Sequence, residues 1–191
     1  MGRAMIRKLI AASAVWLVSL NATASCPTSH FEPTIEIGSY FPGSGDILQA
    51  QWSATPDAEM ALVFVEMGRR EPGYDSGYMI SLMREGQHGD GTLFLTRLKD
   101  GKPVSLQVQV SANEVRDLVQ KLSPILLNTH YSPAGCPIHY TDGFAVQMAV
   151  DEPGRGLIGG EVYSPMEEWE AGKAVAIGRM LKARVLTEEG K

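Results

Sequence analysis

The chain has 191 residues, of which 44% are hydrophobic and 20% are charged. That length suits one domain, and the composition is typical of globular proteins and excludes an intrinsically disordered chain. The 17 Lys and Arg residues against 22 Asp and Glu residues give a formal net charge of −5. A nucleic-acid-binding protein would need a basic surface, so the charge argues against that class of function.

The first 24 residues have the three parts of a secretory signal peptide. Residues 1–8 contain three basic residues and no acid, Leu9–Leu20 is an apolar run of twelve, and Ala22 and Ala24 form an A-x-A cleavage site. The run is too short for a membrane span, which needs about 20 residues. We therefore expect cleavage after Ala24 and a mature chain in the periplasm or outside the cell. Because cleavage removes three positive charges from a net −5, the mature chain would carry −8.

A second kind of processing stays open at Cys26. The stretch Thr23-Ala24-Ser25-Cys26 is similar to a bacterial lipoprotein signal, in which the Cys becomes the lipidated first residue. That signal has a large aliphatic residue three positions before the Cys, where this chain has Thr23. Cleavage after Ala24 explains the same residues better. A lipid-anchored envelope subunit is therefore the less favoured alternative.

Two cysteines remain after cleavage, Cys26 and Cys136. An exported protein with an even number of cysteines is most simply interpreted as disulfide-bonded, so we predict a bond between them. The rival interpretation is a metal site, since His139 completes a C-x-x-H motif and His130 lies nearby in the sequence. A structural zinc site usually has four ligands at paired spacings, and only one thiol stands here. We therefore predict a disulfide and no metal.

The mature chain begins with residues 25–59, which are rich in Pro, Ser, Gly and Thr and predict an irregular segment with an edge strand at Thr34–Ile37. An α+β domain is expected over residues 60–186, followed by a disordered tail at 187–191. Apolar or alternating runs predict strands at 61–65, 77–83, 92–98 and 104–110. Asp100-Gly101 favours a tight turn, so the last two of these strands should form an antiparallel hairpin.

Two helices are predicted from capping boxes, in which a Ser and a Glu three residues later each satisfy the other's backbone amide. The first begins after Ser111, with Glu114 as its partner, and Pro124 should end or kink it. The second begins after Ser164 and runs to about Arg184. Its core-facing side chains are expected to be Met166, Trp169, Val175, Ile177, Met180 and Leu181.

Two further strands, at 144–150 and 157–163, are predicted between the helices. The chain thus combines strands joined by short turns with two amphipathic helices. We predict an α+β fold of one domain. In it, an antiparallel sheet of about six strands carries both helices on one face, in two layers.

Catalytic signatures are missing from the sequence, which has no H-E-x-x-H, G-x-S-x-G or Walker motif and no C-x-x-C pair. The loop over residues 128–142 contains the catalytic candidates His130, His139 and Asp142. The strained elbow and oxyanion donors that acyl transfer needs are not evident around them. We therefore expect a non-enzymatic protein without a cofactor. An envelope hydrolase or metal-dependent enzyme that uses this loop is the alternative.

Arg and Tyr residues, which are favoured anchors at protein interfaces, are concentrated in two segments. Those before and at the start of the second strand, and those in the 128–142 loop, are Arg69, Arg70, Tyr74, Tyr78, Tyr131 and Tyr140. We therefore expect an exported binding protein, of inhibitor or immunity type, that blocks a protein partner in the cell envelope. We expect no nucleic-acid partner and no membrane span, and the sequence leaves the oligomeric state open.

Overall fold

The computed structural model describes residues 31–34, 37–55, 57–68, 77–129 and 144–189. In chain order, the elements in these ranges are β1 (Glu32–Pro33), α1 (Ser44–Ala54), β2 (Ala58–Met67), β3 (Gly77–Glu85), β4 (Gly91–Lys99), β5 (Lys102–Val110), α2 (Ala112–Leu127), β6 (Ala145–Glu152), β7 (Gly156–Tyr163) and α3 (Glu170–Glu189).

The strands form one antiparallel sheet in the order β1-β7-β6-β2-β3-β4-β5. The predicted α+β fold of one domain is confirmed, and the described residues contribute seven strands to its sheet in place of about six. The edge strand is the short β1, in which Glu32 and Pro33 pair with Glu161 and Gly160 of β7. It lies just before the predicted position at 34–37, part of which is outside the described residues.

The β4–β5 hairpin forms where the sequence predicted it. Asp100 and Gly101 both have positive φ, 54° and 72°, and they connect the paired residues Lys99 and Lys102. Two successive residues in this region match the right-handed twist of the strands, which is why Asp-Gly favours such turns. Among the described strands, β5 pairs only with β4 and ends the sheet on that side.

The core is divided between the two faces of the sheet. Alternate strand residues such as Leu62 and Phe64 share the larger cluster with buried side chains of α2 and α3. Val63, Val65 and Met79, which point the other way, share a smaller cluster with apolar residues of α1 and the segment before it. The sequence did not predict α1, so the expected two-layer arrangement left out the helix on this second face.

α1 was missed because it lacks a strong apolar stripe. Its buried residues are only Ile47 and Gln51. Gln51 is held by hydrogen bonds: its Nε2 donates to Thr96 Oγ1 at 3.3 Å, and its Oε1 accepts from Ser81 Oγ at 2.5 Å. Hydrophobic periodicity, the main sequence signal for a helix, is weak when a polar side chain makes half of the attachment.

The capping box at the start of α2 is confirmed. Ser111 Oγ accepts from the backbone N–H of Glu114 at 3.5 Å, and Glu114 Oε2 accepts from the backbone N–H of Ser111 at 3.1 Å. Pro124 does not end the helix, which continues to Leu127. In the turn around it, Ser123 Oγ donates to the carbonyl of Val119 at 2.8 Å.

The second predicted capping box is wrong. α3 begins at Glu170, and Ser164 Oγ instead accepts from the backbone N–H of Phe144 at 2.9 Å, which fastens the end of β7 to the start of β6. Met166 and Met180 are 53% and 59% exposed, whereas the prediction buried both. α3 also continues to Glu189, past the predicted end at Arg184 and into the segment expected to be a disordered tail.

Candidate functional site

A row of three polar side chains crosses the sheet on the same face as α3. Glu66 of β2 pairs with Tyr78 of β3, and Tyr78 pairs with Arg97 of β4. Each is in phase with core residues of its own strand, as Phe64 is with Glu66. Directly paired residues have Cβ atoms about 4.5–5.5 Å apart, so the three side chains are immediate neighbours.

α3 lies close above this row because of a glycine. A Cβ placed on Gly178 would lie 2.3 Å from Cε2 of Phe64, so only glycine allows the helix backbone to approach the ring this closely. The approach brings Arg179 and Lys182, which are one helical turn apart, onto the row. We call Glu66, Tyr78, Arg97, Arg179 and Lys182 the cationic cluster.

Glu66 is the carboxylate at the centre of the cationic cluster. Arg179 donates to it through two nitrogens, Nε to Oε2 at 3.1 Å and Nη2 to Oε1 at 2.9 Å, and Tyr78 donates its hydroxyl to Oε2 at 2.7 Å. The Glu66 side chain is 15% exposed and that of Arg179 is 41% exposed. These hydrogen bonds raise the pKa of the Arg179 guanidinium, against the opposing effect of burial. The bidentate pairing of its guanidinium with the Glu66 carboxylate fixes the orientation of Arg179.

Tyr78 supplies the floor of the cluster. Its ring lies 3.9 Å below the ammonium of Lys182, measured from Nζ to the ring centroid. Burial, followed by its hydrogen bond to Glu66, raises the pKa of Tyr78 far above the ordinary value for a phenol. Tyr78 therefore stays protonated and acts as a hydrogen-bond donor and as an aromatic surface for a cation.

Lys182 is the cation of the cluster whose pKa is lowered by its surroundings. Burial lowers its pKa, and the positive charges of Arg97 and Arg179 lower it further, while Glu66 opposes them. No carboxylate within the described ranges lies at ion-pair distance from its Nζ. The cluster thus holds three cations against one carboxylate in a chain whose overall charge is negative.

The chemistry of this arrangement is suited to binding. Glu66 already accepts three hydrogen bonds, and Tyr78 is held as a donor, so neither is available as a base. Arg179 also stacks over Phe144, with its guanidinium carbon 4.4 Å from the ring centroid. Two cations over aromatic rings and one exposed arginine form a positive surface on this face of the sheet.

Of the residues that the sequence singled out, Tyr78 belongs to the cationic cluster. The other predicted interface, catalytic and disulfide residues lie outside the described residues; they are Cys26, Arg69, Arg70, Tyr74, His130, Tyr131, Cys136, His139, Tyr140 and Asp142. The strand ends that flank these segments meet beside the cluster, because Met67 pairs with both Gly77 and Ala145.

Sequence reasoning missed four members of the cluster, although the sequence carries a signal for two of them. Glu66 and Arg97 occupy positions that the alternation of their strands assigns to the core face. A charged residue in that phase indicates either a strand end or a polar site. Arg179 and Lys182 carried a weaker signal, since they lie near the end of the predicted helix at Arg184, where basic residues are explained by the helix dipole alone.

Other polar groupings in the fold are engaged by partners in the chain, and of the buried polar side-chain atoms in the described ranges only Nε of Arg84 has no hydrogen-bond partner. On the opposite face, the buried Gln147 donates to Ser39 Oγ at 3.1 Å, and Tyr40 donates its hydroxyl to Glu161 at 2.8 Å. At the other end of the sheet, the buried Arg84 forms ion pairs with Asp151 and Glu59. These contacts join segments that are distant in the sequence, so they serve to stabilise the fold.

Among the residues for which coordinates are described, no three His, Cys, Asp or Glu side chains are grouped so that they could hold a metal ion. The helices in the same ranges include none with both the length and the apolar character needed to cross a bilayer. No family model matches the chain, and no match to a curated protein or to a solved structure is found. Function must therefore be argued from the side chains themselves.

Proposed function

We propose that the chain is an exported, non-enzymatic protein that binds a protein partner through the outer surface of α3 and the adjoining cationic cluster. The observation that carries the proposal is Met180, which is 59% exposed on a helix whose other face is packed into the core. Ala176 and Ala183 are also exposed and lie on the same side of the helix as Met180, at i−4 and i+3.

The surface has the composition of an interface. An apolar centre of Met180 and two alanines is bordered on one flank by Arg179 and Lys182. Met and Arg are enriched at protein interfaces, and the unbranched Met side chain adapts to an opposing surface. Because Glu66 already fixes Arg179, a partner would lose little conformational entropy in engaging it.

Export is supported by the N-terminal sequence features, namely a basic start, a short apolar run and the A-x-A site. An inhibitor or immunity-type role would follow if the partner's own functional site docks on α3. Mass spectrometry of the N-terminus of protein purified from the native host tests export directly. A chain that starts at Ser25 supports the proposal, and a chain that retains residues 1–24 contradicts it.

The binding proposal is tested by placing a charge in the apolar centre. In the complex, burial of the Met180 side chain against the partner should contribute about 1.5–3 kcal/mol. Met180→Asp should remove this contribution and so lower the affinity roughly 10–100-fold. Leu157→Asp is the matched control, since Leu157 is 49% exposed on β7. Partners captured from envelope extracts by the wild-type protein are identified, purified and titrated by calorimetry. Equal affinity of both variants and the wild type for every captured partner would refute the proposal.

A further inference from the structure

We propose, building on the proposed function, that the partner presents an acidic segment whose carboxylates bind the cationic cluster. Arg97, Arg179 and Lys182 would each contact a carboxylate oxygen of the partner. The apolar contact at Met180 would then provide affinity, while the cluster selects partners by charge.

The cluster has hydrogen-bond donors that its own carboxylate does not use. A guanidinium has five N–H groups, and Arg179 directs two of them to Glu66. Neither Lys182 nor Arg97 donates a hydrogen bond to another residue within the described portion of the chain. The unused edge of a guanidinium matches a carboxylate bidentately, and the ammonium of Lys182 offers three further donors.

Electrostatics favour a negative ligand at this place. Lys182 is half-buried beside two guanidiniums and above an aromatic ring, so it has lost part of its hydration. The lowered pKa of Lys182 has the same causes, namely burial and the neighbouring positive charges. An added carboxylate would compensate the mutual repulsion of these cations.

The dimensions of the cluster favour a short peptide segment. The row from Glu66 to Arg97 crosses two strand spacings, or about 10 Å, and Arg179 and Lys182 are about 4.5 Å apart along the helix axis. Alternate side chains of an extended peptide are about 7 Å apart, so two acids separated by one residue would cover most of the row. A nucleic acid or an anionic membrane would extend beyond the cluster onto a chain of net negative charge and be repelled there.

The test uses a capped peptide of alternating Glu and Ala residues, with the corresponding Gln and Ala peptide as its control. Binding to the full chain is measured by fluorescence anisotropy at low salt. We expect Lys182→Gln to weaken binding of the Glu peptide roughly fivefold and Arg97→Gln/Lys182→Gln roughly twentyfold, with Lys182→Arg retaining affinity. Lys121→Gln and Arg116→Gln, which make the same charge changes on the exposed face of α2, should have little effect.

Three results would overturn the inference: equal losses in the α2 controls, unchanged binding in the double variant, or inorganic phosphate binding to the cluster as tightly as the Glu peptide does. Thermal unfolding confirms that each variant is folded. The purified partner separates this inference from the proposed function. If Met180→Asp weakens partner binding while Arg97→Gln/Lys182→Gln does not, the α3 interface stands and the acidic segment is refuted. If Met180→Asp has no effect, the proposed function itself fails.

Discussion

Gly178 is the position where the fold of this protein can be tested most directly. A Cβ there would lie 2.3, 2.5 and 2.6 Å from three atoms of the Phe64 ring, whereas ordinary contacts begin at 3.4 Å. Either α3 or the ring must therefore move by about 1 Å. Phe64 is fully buried, and its ring packs against that of Tyr78 with the ring centroids 5.9 Å apart. Because three ring atoms are too close, the overpacking cost lies in the upper part of the usual range, at about 2–3 kcal/mol, and the better helix propensity of Ala returns up to about 1 kcal/mol.

We therefore expect Gly178→Ala to lower the free energy of unfolding by about 1–2 kcal/mol in urea titrations, with an unchanged dependence on denaturant. Gly45→Ala is the matched control: Gly45 is also helical, but a Cβ there meets nothing within 4 Å. That substitution should stabilise the protein by a few tenths of a kcal/mol. The double variant Phe64→Leu/Gly178→Ala should lose less stability than the sum of its single changes, because the smaller side chain makes room for the methyl group. A Gly178→Ala protein as stable as the wild type would refute the proposed close approach.

Two further predictions concern α2 and Tyr78. Ser111→Ala removes the capping box of α2 and should lower the free energy of unfolding, measured in urea, by about 1 kcal/mol. Ser164→Ala removes no helix cap and should cost less. Equal losses would contradict the assignment of the two serines. The pKa of Tyr78 is raised in the folded protein, first by burial and then by Glu66, so above the ordinary tyrosine pKa of about 10 the unfolded chain loses a proton that the folded chain keeps. Stability should therefore fall as pH rises through this range, and Tyr78→Phe should make the fall shallower; parallel curves for the two proteins would contradict the burial of this hydroxyl.

The sequence could predict those parts of the fold that depend on local patterns. The β4–β5 hairpin follows from Asp100-Gly101, and the start of α2 follows from the capping pair at Ser111. The start of α3 was mispredicted because Ser164 has the same local pattern, yet its hydroxyl is engaged by the backbone of Phe144, twenty residues earlier. A local motif cannot reveal a competing partner that only the tertiary structure brings near.

The cationic cluster shows a similar division. Tyr78 could be selected from the sequence by residue type, but its neighbours are set by the register of β2, β3 and β4. Arg179 and Lys182 join them only because Gly178 allows α3 to approach Phe64. Sheet register and helix docking are non-local properties, so residue spacing alone could not have assembled this group.

In α1, the contacts that would hold the helix to the sheet by burial are few, whereas the hydrogen bonds that fix its orientation are specific. A helix that buries only Ile47 and Gln51 gains little from burial. The amide of Gln51, however, bonds to both Ser81 and Thr96 at one orientation of the helix. Thr96 is in turn linked to Ser105, so the chain of polar contacts continues to the last strand of the sheet. Translation or rotation of α1 would leave the buried amide of Gln51 without hydrogen-bond partners, at a cost of about 1–3 kcal/mol. Burial therefore contributes little to the attachment of α1, while its hydrogen bonds determine its position and orientation on the sheet.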